Sequence, residues 1–337
     1  MKTVDFPGIL GNEETKRYFA AHIENGTCSH AYILEGAPGS GRKTLTEAVL
    51  SALACTDDHA PCGVCESCRK IAEKMCADIF YIRREEGKAS IGVAAVRALY
   101  DTIYLLPNDL SFKAYVFEDA DSMTPQAQNA FLKLLEEPPQ NVYFFLIAAD
   151  RRRFLPTILS RTILLKMQRL EPETVAAYLE REKNIPKTEA ERLARLSDGA
   201  IGRGLQLAAD GEDDAIGHAI ALAEYLFSRG GRGDGFEFLL YHTKNIKSSE
   251  QLQKTYTYLA MLLRDLYFSK RYENRPLLLL DLEKAEEMAL GAGDAVLMRL
   301  YEKITELLSR ADVPTNFSLT VTEFAVALWD ARFGKVS

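Results

Sequence analysis

Two groups of residues in this chain have the types and spacing that chemistry requires. The first is glycine-rich: Gly36-Ala37-Pro38-Gly39-Ser40-Gly41-Arg42-Lys43-Thr44 follows the apolar run Ala31-Tyr32-Ile33-Leu34-Glu35. A phosphate-binding loop is a strand, then G-x-x-x-x-G-K-[ST], then a helix. Gly36 and Gly41 keep that spacing, so Arg42 stands where the phosphate lysine belongs and Lys43 where a hydroxyl would hold Mg²⁺. Lys43-Thr44 has the right chemistry one residue late, and a shifted register would need glycines at 37 and 42, which are Ala and Arg. Backbone amides and a helix dipole still make an anion site there, but hydrolysis needs Mg²⁺ bridging the phosphates. Arginine's planar fork is also no match for a compact ammonium. Gly36, Gly39, Gly41, Arg42 and Lys43 thus spell a degenerate nucleotide loop that binds ATP weakly or not at all. The plainer alternative is a glycine-rich turn before an amphipathic helix, whose apolar face Leu45, Ala48, Val49, Ala52 and Leu53 supply.

The second group is Cys55, Cys62, Cys65 and Cys68, four of the six cysteines. Four thiolates in the pattern C-x6-C-x2-C-x2-C make the closed tetrahedral set of structural zinc. A disulfide framework is disfavoured in a reducing compartment, and a redox pair would not use all four. The spacing matches neither common ferredoxin pattern. Zn²⁺ at these four residues is the expectation, with a structural role; Cys28 and Cys76 read as packed thiols.

A strand ending in acids would face the loop. In a working nucleotide site the strand ends Asp-Glu, the Asp supporting Mg²⁺ and the Glu polarising water. Here Lys113-Ala114-Tyr115-Val116-Phe117 ends in Glu118-Asp119-Ala120-Asp121, so the pair is reversed. Either Glu118 and Asp119 are the relic of a nucleotide site or they only solvate a strand end. Leu159-Ser160-Arg161-Thr162 lies at the far edge of the same region. Arg161 there fits both an arginine finger for a neighbouring subunit and an ordinary surface charge. Arg203 fits a phosphate sensor or a helix-start charge, and Arg151-Arg152-Arg153 reads as a solvated turn.

The chain has 337 residues, 47% of them hydrophobic and 26% charged, as in a soluble protein of two or three domains. A net charge of −7 excludes a coat of nucleic-acid-binding positive charge. The sequence has no apolar run long enough to span a membrane and no secretory signal at its start, so a cytoplasmic protein is expected. The elements that hold the chemistry alternate. Helix Glu14–Ile23, strand 31–35 and the loop helix to 54 come first, then strand Asp78–Ile82, a polar turn at 85–88 and helix Val93–Leu105. Strand 113–117, a helix opened by Thr124 and Pro125 and stopped by Pro138-Pro139, and strand Val142–Ala149 follow. That alternation predicts a parallel α/β sheet covered on both faces. Helices Glu171–Lys183 and Lys187–Ser197 come next. An all-helical remainder has breaks at 230–233, 274–276 and 312–314. Three domains are expected: 1–168 with the zinc module at 55–68, a small helical lid at 169–211, and an all-α domain at 212–337.

Ile9-Leu10-Gly11-Asn12, Ser29-His30-Ala31-Tyr32, the glycine loop and the cysteine module together resemble the AAA+ clamp-loader family of bacterial DNA polymerase III. So do Glu118-Asp119-Ala120-Asp121, Leu134-Leu135-Glu136-Glu137-Pro138-Pro139 and Leu159-Ser160-Arg161. The motifs cover about the first 205 residues. The resemblance implies an AAA+ fold with lid and oligomerising collar. It also implies a five-subunit ring with gamma/tau-type motor subunits and a delta subunit, acting with the sliding clamp on primed DNA in the nucleoid-associated replisome. Active motors of the family look like Gly-Lys-Thr with Asp-Glu, and have Thr or Asn near where this chain has Ala148-Ala149. Thr162 stands where Cys is usual after the Ser-Arg pair. By resemblance, Ser160 and Arg161 would complete the ATP site of an adjacent motor, while this chain serves as a non-hydrolysing stator and no enzyme alone. The alternative is an active ATPase motor or a related DNA remodeller.

Overall fold

The computed structural model describes residues 2–85, 88, 90–210, 214–227, 235–271, 277–279, 282–291, 293–310 and 317–334. The expected breaks at 230–233, 274–276 and 312–314, and the middle of the turn at 85–88, lie outside those residues. The chain divides into two compact units, 1–175 with 198–203, and 176–197 with 204–337.

The first unit runs β1 (Thr3–Val4), α1 (Glu13–Glu24), β2 (Ala31–Glu35), α2 (Arg42–Ala54), β3 (His59–Ala60), α3 (Glu66–Ala72) and β4 (Ile79–Ile82). It continues with α4 (Val93–Ala98), α5 (Tyr100–Ile103), β5 (Lys113–Phe117), α6 (Pro125–Glu136), β6 (Val142–Ala148), α7 (Pro156–Leu159) and β7 (Ile163–Lys166). Five strands form a parallel sheet in the order β4-β5-β6-β2-β7. Alternation along the strands builds two cores. Tyr32 and Leu34 pack with Phe19, Leu45 and Val49 on the face that carries α1 and α2. Ala31 and Ile33 pack with Val96, Phe131 and Leu134 on the face that carries α4 and α6. With both faces covered, the strands are apolar throughout rather than alternating with polar residues.

Several boundaries differ from the sequence expectations for identifiable reasons. Asp78 is not strand but a fully buried loop anchor: its carboxylate accepts from the amides of Asn108, Asp109 and Leu110 at 2.6–2.9 Å. The helix expected over 93–105 is two shorter ones ending at Ile103, where Lys113 Nζ takes the Thr102 carbonyl at 2.7 Å. β7 gives no strong sequence signal, because only four residues pair and all are partly exposed at the sheet edge. β1 and β3 form a separate two-stranded parallel ribbon too short for a pattern. The start of α6 is as expected: Thr124 Oγ1 caps the amide of Ala127 and Pro125 fills the first helical position.

α8 (Pro172–Lys183) runs from the first unit into the second. Beyond it come α9 (Lys187–Leu196), α10 (Ile201–Asp210), α11 (Asp214–Phe227), α12 (Gly235–Asn245) and α13 (Ser249–Ser269). α14 (Leu282–Ala289), α15 (Asp294–Arg310) and α16 (Phe317–Phe333) complete the chain. The long α13 is packed by α11, α14 and α15, burying Leu259, Leu262, Leu263 and Leu266. Among the described residues, strands are confined to the first unit, and no helix is long and apolar enough to cross a membrane.

Candidate functional site

The site is built at the C-terminal ends of the parallel strands, where open α/β sheets hold ligands. β2 hands the chain directly to Gly36, whose amide donates to Ala148 O at the end of β6 (3.1 Å). Gly39 and Gly41 have φ of +79° and +89°, a left-handed backbone that β-carbons disfavour. At Gly39 space is also short: a β-carbon would meet the amide nitrogen of Arg203 at 2.6 Å, and Gly39 O accepts from Gly202 N at 2.8 Å. Gly41 then opens α2, and no side chain caps that helix start. The two left-handed glycines thus turn the chain from β2 into α2, with the backbone of Gly202 and Arg203 lying against the loop.

The side chains around the loop do something else. Lys43 Nζ meets Glu118 Oε2 at 2.7 Å, and Arg83 Nη2 meets Glu118 Oε1 at 2.7 Å. Burial would raise the Glu118 carboxyl, but hydrogen bonds from Lys43 and then Arg83 outweigh it and hold the group below its ordinary value. Its side chain is only 8% exposed. Asp119 pairs with Arg84 at 3.3 Å. Asp121 accepts the amides of Ala149 and Asp150 at 3.0 and 3.2 Å, tying down the end of β6. Arg42 is lowered by burial and held charged by Asp121 and Asp119.

Four cations, Arg42, Lys43, Arg83 and Arg84, thus face three acids, Glu118, Asp119 and Asp121. A divalent ion there would enter a region already carrying surplus positive charge. The first acid, which would support the metal, has a lysine ammonium in contact with it instead. Arg83 and Arg84 escaped sequence reasoning; the only available signal was two basic residues one step beyond β4.

Arg161 is elsewhere. β7 pairs with β2 so that Ile163 lies beside Tyr32, which puts Arg161 level with His30 at the opposite rim of the sheet from Gly36. Six residue steps along the strand separate the two, roughly 20 Å at the usual rise. An arginine side chain cannot span that, so Arg161 cannot act on the chain's own glycine loop. It sits just after α7 with its side chain 36% exposed, Nη2 lying 2.9 Å from Glu136 Oε1. Ser160 Oγ donates to Thr157 O at 3.1 Å and lies 3.2 Å from Arg161 Nη1.

The four cysteines come together. Cys55 caps the end of α2, Cys62 and Cys65 flank a tight turn at Gly63 (φ +73°), and Cys68 is in α3. Their sulfurs all lie within 4.8 Å of one another. A tetrahedral ion with ~2.3 Å metal–sulfur bonds would need sulfurs roughly 3.8 Å apart, so the set fits with a small contraction. Cys62 N and Cys65 N aim at the sulfurs of Cys55 and Cys62 at 3.4 and 3.3 Å, as amides do around thiolates. The Cys65 thiol is lowered to about 6 by the Cys68 amide, while burial pushes Cys68 up to about 12. A cation is what would let all four ionise together.

Residues 11–171 match the protein family described as "DNA polymerase III, delta subunit". The chain is 31% identical over 176 residues to DNA polymerase III subunit gamma of Buchnera aphidicola, covering 52% of this chain and 48% of that protein. It is 29% identical over 209 residues to DNA polymerase III subunit tau of Escherichia coli K12, covering 60% and 32%. It thus spans about half or less of these relatives' lengths. A solved structure of a DNA polymerase III gamma subunit-related protein from Thermotoga maritima aligns with TM-score 0.45 at 18% identity, covering 95% and 99% of the two chains. The N-terminal half of this chain is thus similar in sequence to DNA polymerase III subunits described as delta, gamma and tau.

Proposed function

We propose that this chain is the non-hydrolysing stator of a bacterial DNA polymerase III clamp loader, a subunit of the delta-prime type. In this role it supplies Arg161 in trans to the ATP site of a neighbouring gamma/tau-type motor. The observation that carries the reading is the Lys43–Glu118 ion pair at 2.7 Å, which puts a fixed monovalent charge where a working site needs a divalent ion. The register of β7 supports the second half, because it leaves Arg161 far from the chain's own loop and exposed at the sheet edge.

The partners would be motor subunits and a delta subunit in a five-membered ring, with the sliding clamp and primed DNA engaged through the complex in the cytoplasmic replisome. Residues 169–211 would serve as the lid, the helices of 212–337 as the oligomerising collar, and Cys55, Cys62, Cys65 and Cys68 as a structural zinc site that cross-links the end of α2 to α3. The names of the relatives, gamma and tau, favour the alternative of a motor subunit. Calorimetric titration of Mg·ATP into the purified chain, followed by a turnover assay, separates the two. A stator gives no hydrolysis, with or without weak binding; turnover by the chain alone would refute the proposal.

A further inference from the structure

Arg161 does not hang loose. Nη1 donates to Thr157 O at 3.1 Å and lies 3.2 Å from Ser160 Oγ, while Nη2 meets Glu136 Oε1 at 2.9 Å. Thr157 and Ser160 belong to the turn that carries Arg161, so those contacts only fold the side chain over its own helix end. Glu136 is the last residue of α6, a different element, and the Leu134 and Leu135 beside it are 1% and 2% exposed in the core. Its backbone is therefore fixed against the sheet, and through it the guanidinium is referenced to the body of the domain.

The donor inventory gives this anchoring a purpose. A guanidinium has five N–H donors in a rigid fork. The three oxygens around Arg161 take at most three, so at least two remain for an incoming group. Two donors are what a bidentate grip on a phosphate uses. With side chains 36% and 50% exposed, the Arg161–Glu136 pair adds little to stability. Its consequence is orientation, and transfer rates are sensitive to orientation at the ångström level.

We infer that Glu136 is a positioning residue: it holds the Arg161 guanidinium in the attitude in which it meets the phosphate of the neighbouring subunit's ATP. The inference rests on the proposed role of Arg161 as a finger.

The test uses the reconstituted loader, with steady-state ATP hydrolysis measured in the presence of clamp and primed DNA. Glu136→Ala lowers kcat about two- to fivefold at the site Arg161 serves, the worth of one exposed pair, and leaves KM for ATP unchanged. Glu136→Gln keeps an acceptor oxygen and recovers most of the loss, and Glu137→Ala behaves as native. Adding Glu136→Ala to Arg161→Ala costs nothing more, which a purely structural role would not give. Glu136→Ala at or above the native rate, or Glu136→Gln as slow as Glu136→Ala, with Arg161→Ala slow, would overturn the inference and leave the finger standing. A further loss in the double variant would overturn it too. An Arg161→Ala loader with native turnover would remove the finger, and the role of Glu136 with it.

Discussion

Replacing Lys43 by Met keeps the aliphatic stem and removes only the ammonium that contacts Glu118. The magnitude follows from the surroundings. Lys43 is 53% exposed while Glu118 is 8% exposed, so the pair is neither a free surface contact nor a buried one. Exposed pairs contribute roughly 0.2–1 kcal/mol, and stripping a partner from a fully buried charge costs about 3–5 kcal/mol. Glu118 keeps Arg83 at 2.7 Å in the variant, which pulls the loss to the low end. About 1 kcal/mol is expected, or a fall in melting temperature of about 2–4 °C for a domain of this size. The pH dependence separates this pair from mere packing. The folded-state carboxyl of Glu118 is depressed, so its stabilisation is present above the unfolded value of about 4.3 and is lost as pH falls through the folded value. Native and Lys43→Met proteins should therefore differ in calorimetric melts at pH 7.5 and converge on acidification below that point. Equal melting at pH 7.5, or a gap that persists undiminished in acid, would refute the ion-pair account.

Two further outcomes are expected. Cys65→Ser should lose bound zinc by elemental analysis and lower the melting temperature; full metal content in the variant would sink the ligand assignment. His242 is fully buried with Nε2 2.8 Å from Tyr256 Oη, and burial, then His218, lowers it to about 4. The unfolded chain takes the proton first, so stability of the helical unit is intact above about 6.5 and falls as pH drops toward the folded value. Between pH 6.5 and 5 the loss is about 2 kcal/mol, and urea melts of His242→Leu should show a shallower acid slope. An unchanged slope would assign the acid sensitivity to other groups.

What the sequence revealed and what it hid follow from the range of the interactions. The glycine loop was legible because left-handed backbone at Gly39 and Gly41 leaves a residue-type signature. The cysteine cluster was legible because its ligands lie within one short stretch, and α6 because Thr124, Pro125 and the closing prolines are local signals. The contacts that give the site its character join distant segments: Lys43 to Glu118, Arg83 to Glu118, Arg161 to Glu136. Spacing alone cannot reveal such pairs. Reversal of Glu118 and Asp119 suggested a failed metal site, but only the fold brings a cation to Glu118. β7 went unread because a four-residue edge strand half open to solvent has no clear period, and its register is what separates Arg161 from Gly36.

In the proposed role the chain acts on a neighbour's ATP through Arg161 while its own loop stays silent. The most direct measurement is ATP hydrolysis by a loader assembled with Arg161→Ala in this subunit alone, compared with the native assembly at matched folding and subunit composition. The ring should stay intact while its turnover falls, since a trans finger is worth about 10³–10⁵ at the site it completes. An intact ring that hydrolyses ATP at the native rate would contradict it.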